Sequence, residues 1–515
     1  MSDRRLIVVG LDAFDPDVAA TLRRQGHLPV LDRLEKDAAR FTLEHGIEKY
    51  SGLAWEQFST GLAPEAVDRW SACTFDSVTY HVDQPKTRLT PFVKNFGGST
   101  VVFDTPYFDL RHAPDVFGMV SWGSHDPGVS GQSNPADLAR EIEQRFGTYP
   151  GRGFVYGHVW PHPDRTSVMA QSMIDAVEVR SDVTHWLLQE RFPAWDAAIT
   201  VISEYHSATE ALWHGWDETH PLHSVPGAAA ARDGIVGVYE AADAMLGRLM
   251  ESFPDARVLA FSPHGMGRNL SDPAAMVLVA ELLYRHATGR RGLVASPDWQ
   301  IDGSAGAEFA QYNAWAPAIS ERVKIRPSRL LASEGAHRSA VSWMPAAYYR
   351  RAWPEMRAFA VPAYYDARIR VNLKGREAFG LVERDDYEAE LDEVERLLRH
   401  CRDPRDGKPL EIEIERRPGD PFARHPSDAD LIVRFGRDHY AFDHPWHGRI
   451  GPVPCRRTGG HSGGAGVGYY FDGSRSGSVG HFSTLEITAL VRALMGDRTA
   501  SGRLVDALSP VRVAA

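Results

Sequence analysis

The sequence predicts an α/β protein with a mostly parallel central sheet flanked by helices, and three observations lead there. Short apolar, partly β-branched runs of strand length recur along the chain, and helical patterns fall between most of them. The first run, Leu6 to Val9, is apolar throughout instead of alternating, as strands buried on both faces are. Strands alternating with helices are the pattern of a sheet joined by crossover connections.

The Leu6 run closes on Gly10 and Asp12, a strand ending in a polar residue, and Pro16 sits where a following helix would start. Further strands are expected at 99–103, 198–203, 257–261, 369–373, 431–435 and 467–471, and helices at 175–190 and 235–252. Residues 291–354, rich in Ala, Pro, Ser and Trp without a period, read as an inserted lid. Residues 355–420 read as a small α+β subdomain around a helix at 385–400. The remaining residues, 1–290 and 421–515, form the expected core domain.

Composition narrows the function. With 43% hydrophobic and 24% charged residues the chain is an ordinary globular protein, not a disordered or fibrous one. A net charge of -11 disfavours a nucleic-acid coat protein, so any small anionic substrate needs a local source of positive charge. Three cysteines without a close pair leave no disulfide framework, whereas 22 histidines favour imidazole and carboxylate as metal ligands. No apolar run suits a signal peptide or a membrane span, which makes a cytoplasmic location the expectation. Oligomeric state is not legible.

Ligands of such sheets lie beyond the carboxyl ends of the strands, where Asp12, the region of His206 and Ser262-Pro-His264 would meet. Ser51 stands where it could cap a short helix ending at Gly61, and the same helix end could serve an alkoxide nucleophile. His206 and Glu210, at i and i+4, share one helix face; a surface pair is the plainer reading. His264 and His461 each follow as loop histidines, the second among glycines.

Taken together, these segments resemble the type I phosphodiesterase and nucleotide pyrophosphatase branch of the alkaline phosphatase superfamily. Val8-Val-Gly-Leu-Asp-Ala-Phe-Asp-Pro16 is similar to its opening metal motif, and His27-Leu-Pro-Val-Leu-Asp-Arg-Leu34 follows. Ser51-Gly-Leu-Ala-Trp55 with Ser59-Thr-Gly-Leu-Ala-Pro64 is similar to its nucleophile helix, with Ser where Thr is usual. Val102-Phe-Asp-Thr-Pro-Tyr107, Gly118-Met-Val-Ser-Trp-Gly123, Val371-Asn-Leu-Lys-Gly-Arg-Glu377 and Asp430-Leu-Ile-Val433 keep the family's order.

The resemblance implies an alkaline-phosphatase-like sandwich and a hydrolase of the EC 3.1 class, phosphodiesterase- or phosphatase-like, working through Ser51. It also implies one or two divalent ions, usually zinc, with manganese or iron also suited to such ligands. By position Asp12, Ser51 and His264 would hold one ion, and His206, Glu210 and His461 the other. Two departures stand out. Where the family has Asp, then His, then Trp, this chain has His206, Glu210 and Trp213, and Ser-Asp-His-Gly has become Ser262-Pro-His-Gly265, where Pro263 cannot ligate. His220 or His223 is a conceivable replacement. Trp213 and the His444, Trp446, His447 group are expected to contact substrate. Two further readings stay open: a mononuclear enzyme using His206, Glu210 and His461 for non-phosphoryl chemistry, and a non-catalytic binding protein.

Overall fold

A computed structural model of the chain describes residues 5–45, 52–94, 96, 98–155, 162–305, 315, 318–324, 328–330 and 340–508. Its centre is a nine-stranded sheet. In spatial order the strands are Gly477–Ser483, Ala39–Glu44, Ala465–Phe471, Arg257–His264, Leu6–Leu11, Ala197–Ile202, Thr100–Phe103, Val116–Val120 and Gln132–Asn134. The run from Arg257–His264 to Val116–Val120 is parallel throughout. Ala465–Phe471 lies antiparallel to both its neighbours, and Gln132–Asn134 forms an antiparallel edge.

The apolar run of the first strand has a direct cause in this arrangement. Ile7, Val9 and Leu11 pack on one side with helices Pro163–Trp186, Glu204–Trp216 and Ala228–Ser252. Leu6 and Val8 pack on the other with helices Ala54–Thr60 and Glu486–Leu494. All six residues of Leu6–Leu11 are buried, and full burial of an aliphatic side chain contributes roughly 1.5–3 kcal/mol, so neither face tolerates a polar residue. Asp15 caps the next helix, Pro16–Arg24, accepting from the Asp17 and Val18 amides at 3.0 Å each.

A second sheet is antiparallel, with strand order Ala358–Val361, Ala367–Val371, Leu431–Phe435 and Ile412–Arg416, and carries helix Tyr387–Arg399. The strand at 431–435 pairs on one side with Ala367–Val371 and on the other with Ile412–Arg416. Asp430 fixes it there, accepting from the Val371 amide, Arg376 and Tyr387. Of the described residues in 291–354, Leu293, Trp315, Ile319, Met344 and Trp353 are buried in the same apolar core as this sheet. Among the described residues no helix is long and apolar enough to cross a membrane.

Candidate metal centre

Parallel strands end at one edge of the sheet, and that edge carries the candidate residues. Asp12 follows Leu6–Leu11, His264 ends Arg257–His264, and helix Glu204–Trp216 starts after Ala197–Ile202 and turns His206 and Glu210 inward. All four side chains are buried. His461 arrives from the far end of the sequence on the two-residue strand Gly459–Gly460, paired to Gly267–Arg268. Glycine is required there: a Cβ at Gly459 would lie 2.2 Å from the Thr209 carbonyl oxygen, on the helix that bears Glu210. The Thr458 amide also donates to the Glu210 carbonyl at 2.8 Å.

The serine expected to cap the neighbouring helix, Ser51, lies outside the described residues. The helix itself runs Ala54–Thr60 with Leu53 at its N-cap, later than expected, because Gly52 adopts φ 73° and holds the preceding turn out of the helix. It does end at Gly61, in the left-handed conformation. Its Trp55 reaches the centre, donating Nε1–H to Asp12 Oδ1 at 2.7 Å.

Hydrogen positions follow from the partners. Asp12 Oδ2 faces His206 Nδ1 at 3.3 Å, so that nitrogen carries the proton and Nε2 points away from Asp12. There it stands 3.6 Å from Glu210 Oε1 and 3.4 Å from His461 Nε2. A histidine absent from the sequence-based set, His125, stacks on His206 with ring centroids 3.8 Å apart. Its Nδ1 lies 3.1 Å from Ser207 Oγ, whose own proton goes to the Val155 carbonyl. Nδ1 is therefore the donor, and His125 Nε2 lies 3.5 Å from Glu210 Oε2. Glu210 Oε2 has no hydrogen-bond partner among the described residues. Ligand atoms, one each from His125, His206 and Glu210 and all within 4.8 Å of one another, thus converge on a position suited to a cation.

The charges agree with that geometry. Burial opposes the charge on His206, but Asp12 and Glu210 outweigh it and lift its pKa to about 10. Burial also opposes ionisation of Asp12 and Glu210. His206 and Trp55 nevertheless hold Asp12 below the usual carboxylate range, and Arg457 with the two imidazoles holds Glu210 well below it. Burial, then the neighbouring His206, pushes His125 down to about 4, and burial, then His45, pushes His264 to about 3. Asp126 is lifted to about 6 by burial.

A cavity of about 280 Å³ opens beside the centre, lined by His125, Asp126, Trp343, Tyr365, Arg456 and Arg457 among others. Tyr365 stacks on His461 at 3.5 Å, and Arg456 lies over the Trp343 ring at 4.1 Å. Arg457 donates to Glu210 Oε1 and makes two bonds to Asp272, at 2.8 and 3.0 Å.

The centre therefore brings together Asp12, His206, Glu210, His264 and His461, the last two with ring centroids 4.3 Å apart. None of the four residues expected to contact substrate is on the cavity wall. Trp213 packs among the helices. His444, Trp446 and His447 group with His400 and His286 on the second sheet's side of the molecule. His220 does not replace the donor lost at Pro263, since its Nδ1 accepts from the Leu222 amide and Cys455 is its other neighbour. His125, Arg456 and Arg457 escaped sequence reasoning, although His125 follows Gly118-Met-Val-Ser-Trp-Gly123 by two residues and Arg457 precedes the glycine loop.

Fold and centre together define an α/β protein with a buried imidazole–carboxylate cluster at the carboxyl ends of a parallel sheet. No protein-family model and no curated protein matches the sequence. Among solved structures, the chain is similar to an inactive form of murine ectonucleotide pyrophosphatase/phosphodiesterase 5 in complex with AMP, with 10% identity over 97% of this chain and 96% of that one and a TM-score of 0.47. It is similar too to phosphonoacetate hydrolase from Sinorhizobium meliloti in complex with phosphonoformate, with 12% identity over 96% of each chain and a TM-score of 0.49. The human ectonucleotide pyrophosphatase/phosphodiesterase 5 gives 12% identity over 96% of this chain and 95% of that one, with a TM-score of 0.44. These are proteins of the kind the sequence motifs resemble, and at such scores the likeness assigns no chemistry to this chain.

Proposed function

We propose that the chain is a metal-dependent hydrolase or transferase acting on a phosphate ester, phosphodiester or related anionic ester, with Ser51 as nucleophile. The observation that carries the reading is the convergence of His125 Nε2, His206 Nε2 and Glu210 Oε2 beside a cavity walled by two arginines. Those three groups would hold a divalent ion, zinc being well suited to two imidazoles and a carboxylate, with His461 next to them. Bound there, such an ion polarises phosphoryl oxygens and lowers the pKa of a hydroxyl beside it.

The remaining roles belong to the chain's own side chains. Asp12 keeps the His206 proton on Nδ1 and so turns its Nε2 to the ion, with Trp55 holding the carboxylate in place. Ser207 does the same for His125. Tyr364 and Tyr365 offer aromatic faces to the organic part of the substrate. Support for Ser51 comes from the sequence motif it opens, Ser51-Gly-Leu-Ala-Trp55, whose Trp55 donates to Asp12.

Turnover of p-nitrophenyl phosphate, its diester or its phosphonate ester tests the reading, with loss of activity expected on chelation and in Ser51→Ala. A protein that binds metal yet turns over no phosphate, phosphonate or sulfate ester sinks it. The two-imidazole, one-carboxylate composition also supports the second reading, a mononuclear enzyme of non-phosphoryl chemistry, which iron in the purified protein in place of zinc or manganese would favour.

A further inference from the structure

We propose that this centre takes a single divalent ion and that the buried guanidinium of Arg457 supplies the second fixed positive charge against which an oxyanion is held. The proposal rests on the metal-dependent reading above and goes beyond it in fixing the stoichiometry and the second cation.

Few donors remain for another ion. Asp12 has one oxygen on Trp55 Nε1–H and the other on His206 Nδ1–H. His264 turns Nδ1 toward the Gly265 carbonyl at 3.2 Å, and its neighbour Pro263 brings no donor atom. Glu210 Oε1 accepts from Arg457, and Oε2 faces His125 Nε2 at 3.5 Å. Glu210 is thus shared between one ion position and a guanidinium.

Arg457 is placed to act as that second cation. It is buried, yet it borders the cavity. Asp272 grips its Nε and Nη2 in a fork, and Glu210 takes Nη1, which fixes the plane of the group. A guanidinium has five N–H bonds and stays charged at any working pH, so among the described residues these three contacts leave two donors to offer an anion. A second divalent ion added to Arg457 and the first would crowd positive charge around three buried carboxylates, Asp12, Glu210 and Asp272, already balanced by one ion and one guanidinium.

The competing view is that Arg457 only pins the Thr458–His461 loop to the helix. The two roles separate in the full-length protein. Dialysis against zinc followed by elemental analysis is expected to give about one ion per chain in the wild type, and little or none in His125→Ala or His206→Ala. The paired change Arg457→Met with Asp272→Asn removes the guanidinium together with its counter-charge, which guards against misfolding. That variant is expected to keep its ion but bind inorganic phosphate about ten- to a hundredfold more weakly, while Arg457→Lys is affected less. Two ions per wild-type chain, or unchanged phosphate affinity in the paired variant, overturns the proposal and leaves the metal-dependent reading intact. No ion in the wild type overturns both.

Discussion

Asp12→Asn separates a carboxylate that orients a ligand from one that is itself a ligand. In the native protein two donors, Trp55 Nε1–H at 2.7 Å and His206 Nδ1 at 3.3 Å, converge on the two oxygens of Asp12. Asparagine offers one oxygen and an amide NH2, so one of those donors meets another donor. Leaving it unsatisfied in the buried centre costs about 1–3 kcal/mol of stability. If Asp12 acts behind His206, zinc affinity falls about 10- to 100-fold, the range for partners of metal-bound histidines, which is about 1.4–2.7 kcal/mol. The proton balance changes as well. Asp12 and Glu210 hold His206 at about 10, so at pH 7.5 an ion displaces a proton from it. With Asp12 neutral, the imidazole is less often protonated and fewer protons leave on binding. Competition with a chromophoric chelator measures the affinity, and calorimetry in two buffers of different ionisation enthalpy counts the protons. An affinity loss of about ten-thousandfold or more would place Asp12 in direct contact with the ion, and an unchanged affinity would remove it from the centre's function; either outcome refutes the orienting role.

Other consequences are open to test. His220 is buried and held at about 4, first by burial and then by Arg268. Its unfolded value is near 6.5, so stability is intact above that pH and is lost as pH falls from about 6.5 to about 4. His220→Asn keeps an acceptor for the Leu222 amide, and urea titrations at pH 7.5 and 5 should show its stability falling about 2 kcal/mol less than that of the wild type; an identical fall would refute the assignment. Arg180→Met strands Asp104 and Glu204, both fully buried beside it, and should cost about 3–5 kcal/mol in urea unfolding, with a loss near zero counting against the buried triad. Gly459→Ala drives a Cβ to within 2.2 Å of the Thr209 carbonyl and should cost about 1–3 kcal/mol, whereas native-like stability would mean the loop does not sit that close to the helix.

Much of the central sheet was legible because its parallel strands are buried on both faces and therefore written as unbroken apolar runs. Leu6–Leu11 and Ala197–Ile202 fall within a residue or two of their expected bounds for that reason. Ala39–Glu44 was missed, since its pattern alternates buried with half-buried residues and includes Arg40 and Glu44. Leu431–Phe435 was found as a strand but its partners were not legible, because an apolar run records burial and not the identity of its neighbour. In the centre, residues tied to a spacing or a motif could be named in advance. His125 and Arg457 were not, since each lies just outside its motif and owes its place in the centre to three-dimensional contacts.

The strand order also constrains how the chain can be made. Ala39–Glu44 has two neighbours in the sheet, Ala465–Phe471 and Gly477–Ser483, and both belong to the last part of the sequence. On a ribosome, this strand waits through more than four hundred residues of synthesis with its backbone amides and carbonyls unpaired. A nascent chain or a fragment ending before 465 would therefore present an open edge at Arg257–His264 and an orphan strand beside it, the combination that templates aggregation. Soluble expression should thus depend on the two strands Ala465–Phe471 and Gly477–Ser483 more steeply than on any insertion in the middle of the chain.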